Sequence, residues 1–205
     1  MLDGLSEAEW LAPVPACPGW RVRDVLAHLL GNLEDGAAGR ISGAPDAQQT
    51  AAQLDRHRDD APEELLATWT VAGELAEPVL TSGGAWMAFV DLISHEHDVR
   101  EALDNADGRG TDDVRRAAGL VTGPIDAGEG RQIVFDSDSD SDSDPDPAHG
   151  QANMGDPGIY VLRASPFEAL RVRLGRRSVE QALAMEWSTD PTPVLDHLFV
   201  FGPRA

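Results

Sequence analysis

Three side chains in this sequence have the types and spacing to hold a metal ion between them. Asp91 and His95 stand four apart in Trp86–Leu103, a run without Gly or Pro, and on a helix that spacing puts both side chains on one face. Ala88, Leu92, His95, Val99 and Ala102 follow the 4-3-4-3 rhythm of a helical stripe that is otherwise apolar. His28 lies in another helical segment, three residues after Val25 and at the edge of that segment's apolar stripe. Two neutral imidazoles and one carboxylate make an N2O donor set, and three protein ligands leave a coordination position open for water or substrate. Spacing alone leaves a plainer alternative standing. An inward His can be satisfied within a core, with Asp91 capping or paired to Arg100 and His28 bonded to a backbone carbonyl.

The elements that must position these residues follow from periodicity and punctuation. Residues 1–19 are a short acidic segment and a Pro-rich link, Pro13-Val-Pro-Ala-Cys-Pro-Gly19, which cannot be helical throughout. A helix is predicted from Trp20 to about Ala37, with Val22, Val25, Leu26, Leu29 and Leu33 inward. The polar stretch Gly39–Asp60 reads as a long loop with one turn of helix. Pro62-Glu-Glu64 opens a helix to about Leu80, and Thr111 caps a shorter one to about Val121. Beyond residue 125 the pattern changes to strands at Arg131–Phe135 and Tyr160–Arg163, then short helices near 167–174, 178–185 and 193–200. The expected division is a helical domain over 1–124 and a small α+β domain over 125–205, with an acidic Asp/Ser loop at 136–147. That tract lacks the Gly and terminal Glu of a calcium loop, so it reads as a solvated insertion.

Charge narrows the function classes. The 205 residues hold 16 basic side chains, all Arg, against 36 acids, for a net charge of −20. A field of that sign repels phosphate backbones and anionic lipid, which excludes nucleic acid and membrane surfaces as expected partners. No apolar run approaches a membrane span and no signal-peptide layout opens the chain, so a cytoplasmic location is expected. The lone Cys17 allows no internal disulfide and reads as a structural, partly buried thiol. His97 lies about 200° round the helix from His95; it and His57 are expected at the surface. Trp10, Trp20, Trp69, Trp86 and Trp187 are candidates for core or interface.

Pro13-Val-Pro-Ala-Cys-Pro-Gly-Trp-Arg-Val-Arg-Asp-Val-Leu-Ala-His28 resembles the opening motif of the mycothiol-dependent maleylpyruvate isomerase family, within the DinB-like bundles. Asp91-x3-His95-x2-Asp98-Val-Arg-Glu-Ala-Leu103 resembles the family's second motif, and Gly175–Gln181, Leu183–Trp187 and Phe201–Arg204 resemble its C-terminal domain. The resemblance implies a mainly α fold, a DinB-like bundle followed by a small α+β domain. It implies a metal, zinc by preference, on His28, Asp91 and His95, with mycothiol or a similar small thiol as cofactor. The implied activity is a thiol-dependent transferase or isomerase acting on a small electrophile. Asp98 is then an outer partner of the ligand histidine or a link between helices, and Arg176 and Arg177 either clamp an anionic substrate or cap helix ends. Two departures bear on this. The motif's Glu is Asp91 here, one methylene shorter, and only 16 residues precede Cys17, so the family's first bundle helix is expected to be missing. Either the start lies further upstream, or a second copy in a homodimer covers the exposed groove. Two rivals remain open, a hydrolase using metal-bound hydroxide and a degenerate, non-enzymatic binding module.

Overall fold

Helix α2 (Val22–Ala37) is the element on which the N-terminal half assembles. In the computed structural model, which describes residues 1–81, 85–137 and 157–203 (side chains of 75–81 excepted), Arg21 donates its backbone N–H to the Asp24 carboxylate at 2.9 Å. That bond fixes the chain's entry into the helix. Val22, Val25, Leu26 and Leu30 are buried along the helix. A one-turn helix α1 (Glu7–Trp10) precedes α2, and α3 (Ala47–Arg56), α4 (Pro62–Thr81) and α5 (Trp86–Ala102) follow; all four pack on α2. Trp10, Val14, Leu65 and Val99 complete the core around it, with Leu2 and Leu5 packed against them.

The Pro-rich link is an ordered loop. Val14 donates to the Trp20 carbonyl at 2.9 Å, Cys17 to Val14 at 3.0 Å and Trp20 to Cys17 at 2.9 Å. Gly19 closes it at φ +85°, a left-handed conformation that a side chain would strain. This loop returns Trp20 and Cys17 towards α5.

Helix α3 departs from the expected loop over Gly39–Asp60. Asp46 accepts the Gln49 N–H at 2.8 Å and Gln49 accepts the Asp46 N–H at 2.9 Å, a capping box built from Asp and Gln. Of α3's residues only Gln53 is buried. The helix therefore docks through a polar residue and shows no apolar stripe to read.

The chain divides into two compact units, Met1–Asp107 and Gly108–Ala205. Helix α6 (Asp112–Val121), capped by Thr111, packs against α7 (Pro166–Arg173) and so lies in the second unit. The sequence had grouped it with the first, because its apolar face looks the same whichever partner it meets. The sheet of this unit has the order β1 (Ile125–Asp126), β2 (Gln132–Asp136), β3 (Ile159–Arg163), β4 (Glu186–Trp187). Strands β2 and β3 are parallel, with Ile133 opposite Tyr160, and the outer pairs are antiparallel. Ile133 and Leu162 pack with Val172 of α7, Ala182 of α8 (Val179–Leu183) and Val194, Leu195 and Leu198. The helix expected over 193–200 is a single 3₁₀ turn, Leu195–His197. Arg173 takes the carbonyls of His197 and Leu198 at 3.2 and 2.7 Å, and Val200 donates to the Arg173 carbonyl at 2.8 Å, so the ladder cannot continue. Most of the Asp/Ser tract, 138–147, lies outside the described residues. Its first residue, Asp136, ends β2 and pairs with Arg163 at 3.3 Å. The whole is mainly α with a small α+β part, as expected.

Candidate functional site

His28 of α2 and Asp91 and His95 of α5 come together in the first unit. Their ligand atoms all lie within 4.8 Å of one another. His28 Nε2 stands 3.7 Å from Asp91 Oδ2, and His95 Nε2 stands 3.5 Å from Asp91 Oδ1. Both imidazoles are buried, while the Asp91 side chain is 34 % exposed, so the cluster opens to solvent on its carboxylate side. Trp20 lies against both rings, stacked on His95 at 6.1 Å and tilted on His28 at 5.1 Å between centroids.

Each imidazole is also held from behind. His95 Nδ1 meets Asp98 Oδ2 at 3.0 Å, and Asp98 is wholly buried. The Cys17 thiol lies 3.7 Å from the same carboxylate oxygen and 3.9 Å from His95 Nδ1. Burial opposes a charge on His95, but the Asp98 hydrogen bond, the Cys17 contact and the charges of Asp91 and Asp98 outweigh it and raise its pKa to about 10. His28 Nδ1 meets the Gln53 carbonyl oxygen at 3.0 Å. The Gln53 amide in turn donates to Asp35 at 2.9 Å and to Asn32 at 3.0 Å. Asn32 faces His28 Nε2 at 3.2 Å and donates to Asp91 at 3.0 Å. Burial pushes the Asp35 carboxyl up, yet hydrogen bonds from Gln53, Arg56 and Arg40 prevail and hold it below the usual carboxylate range.

The three side chains form a group that could hold a metal ion. Two atoms roughly 2.0–2.2 Å from a shared ion stand about 3.3–3.6 Å apart at a tetrahedral angle, close to the 3.5 and 3.7 Å found here. Metal-bound histidines characteristically donate their second N–H to a carboxylate or carbonyl. Asp98 and Gln53 stand in those places.

Other expectations fare differently. His57 and His97 are buried, not at the surface. His57 ends α3 and bonds Asp60 at 2.8 Å and Glu34 at 3.3 Å; without α3 the sequence offered no face to bury it. His97 is covered because α5 is enclosed on both sides, Val90, Ile93 and Ser94 being buried as well as His95 and Val99. In the second unit Arg177 grips Glu168 through two bonds of 2.8 Å, and Arg176 donates to the Leu174 carbonyl at 2.8 Å. Arg177 thus reaches back to the first turn of α7, and Arg176 stays at its C-cap. Sequence reasoning missed Gln53, Asn32 and Asp35. Asn32 is four residues from His28 on α2, and the Asp46–Gln49 box marks the start of the helix that carries Gln53, so both signals were present.

The first unit thus belongs to the class of helical bundle that gathers polar side chains from facing helices into one site. Residues 1–86 match the family model of the mycothiol maleylpyruvate isomerase N-terminal domain. The match takes in His28, Asn32, Asp35 and Gln53; Asp91 and His95 lie beyond it. No curated protein and no solved structure matches the chain. No helix among the described residues is long and apolar enough to cross a membrane.

Proposed function

We propose that the chain holds a divalent transition metal, zinc by its donor set, on His28, Asp91 and His95. With a small thiol of the mycothiol kind it would transfer that thiol to, or isomerise, a small electrophile. One observation carries this reading: two imidazole Nε2 atoms face one carboxylate at ligand spacing while both Nδ1 atoms are already answered from behind. A bound cation would supply the positive charge that stabilises a thiolate at neutral pH.

The rest falls to the chain's own residues. His28 and His95 offer neutral nitrogen, and the cation would take the place of the proton that His95 otherwise holds. Asp98 and Gln53 keep the rings turned towards Asp91. Trp20 and the buried helix faces keep water from the rear of the cluster, and the exposed side of Asp91 is where thiol and electrophile would enter. Being one methylene shorter than Glu, Asp91 leaves more room there.

Metal analysis of protein purified without chelator tests this directly. About one equivalent of transition metal is expected, lost in His95→Ala, with a thermal melt raised by added thiol only in the metal-loaded wild type. Metal-free wild-type protein, or unchanged binding in His95→Ala, overturns the assignment. Ester or amide turnover without added thiol would instead point to a hydrolase.

A further inference from the structure

We propose that Gln53 is a positioning residue: held in one orientation by Asp35, it fixes the proton of His28 on Nδ1 and so presents a bare Nε2 to Asp91 and His95. The purpose of this device rests on the metal reading above, but its geometry does not.

A side-chain amide can face an imidazole with either end, and the two ends dictate opposite tautomers. Here the choice is made elsewhere. The Asp35 carboxylate can only accept, and Arg40 and Arg56 hold it at 2.6 and 2.7 Å. The Gln53 end that faces it at 2.9 Å must therefore be the NH2 group. Its second hydrogen goes to the Asn32 carbonyl oxygen at 3.0 Å. That leaves the Gln53 carbonyl oxygen 3.0 Å from His28 Nδ1, where it can only accept, so Nδ1 carries the N–H. A neutral imidazole has one such proton, and Nε2 is left with its lone pair.

The far side of the ring agrees. With its oxygen committed to Gln53, Asn32 turns its NH2 group towards Asp91 at 3.0 Å and His28 Nε2 at 3.2 Å. A protonated Nε2 would set two donors against each other. Gln53 is wholly buried and His28 and Asp35 nearly so, so water is not at hand to repair a reversed amide, and a lost bond there is costly. The arrangement needs a close approach of α3 to α2, which Gly31 allows: a Cβ there would stand 2.5 Å from Gln53 Cβ.

The test reads the tautomer itself. In metal-free protein, nitrogen-15 spectra of the His28 ring, at a pH where it is neutral, should show Nδ1 protonated and Nε2 bare. Asp35→Asn keeps the shape but removes the acceptor-only constraint, and Gln53→Met keeps the bulk but removes the carbonyl. Both should yield mixed tautomers, and Gln53→Met should lower cobalt affinity by about 10- to 100-fold, the usual effect of losing an outer partner. Wild-type protein with the proton on Nε2, or a folded Gln53→Met that keeps the Nδ1–H form, overturns the inference. An Nδ1–H wild type that loses this preference in the variants, yet takes up no cobalt, supports the inference and removes the metal reading.

Discussion

His28 and His95 present the same atom to the same carboxylate, yet they are backed by unlike groups. Behind His95 is a buried anion, Asp98, in direct contact at 3.0 Å. Behind His28 is a neutral amide, and the anion, Asp35, stands one residue further off and is neutralised by two arginines. A carboxylate both orients an imidazole and makes it more basic, whereas an amide orients it with little change in charge. The pair therefore separates two things that an outer partner can do.

The largest effect should come from removing the anion. Asp98→Asn should lower metal affinity by about 10- to 100-fold and bring the His95 pKa down from about 10. In chelator-treated wild type, His95 is more basic folded than unfolded, so it stabilises the fold fully below about 6.5. That contribution fades as pH rises from there through the folded value near 10. Urea midpoints of the metal-free protein should fall across this window, and Asp98→Asn should flatten the slope. An equal slope in both would show that the anion does not govern His95. The next effect, on stability, belongs to the His28 side. Gly31→Ala forces α3 away from α2 and should cost about 1–3 kcal/mol in urea unfolding, with the His28 tautomer disturbed as well; a wild-type midpoint would mean that α3 is not held by this contact. Least should follow from Cys17→Ala. Its thiol touches Asp98 and His95 only at 3.7–3.9 Å, so a loss of no more than about 1.5 kcal/mol is expected, with cobalt affinity unchanged. A collapse of metal binding would give the thiol a larger part than packing.

The two regions also differ in how far the sequence could be read. Helix α5 announced Asp91 and His95 through helical spacing, because side chains four apart share a face whatever the helix packs against. Helix α2 was equally plain from its apolar stripe, and α6 from its Thr111 cap. Helix α3 was not, since its buried residue is an amide and its apolar content is low. With α3 unread, Gln53 had no position and His57 looked like a surface residue. His97 was misplaced for a related reason: periodicity names one inward face, and α5 is buried on two.

Spacing along one helix determined that Asp91 and His95 would be neighbours, and the motif around His28 said which third residue to look for. Whether His28 would reach them, and which of its nitrogens would face them, was decided by the packing of α2 against α5 and of α3 against α2. The reason is physical. Helical geometry is local and repeats with the backbone, but the direction of a hydrogen bond passed from Asp35 through Gln53 to His28 exists only once separate helices have been brought within 3 Å of each other.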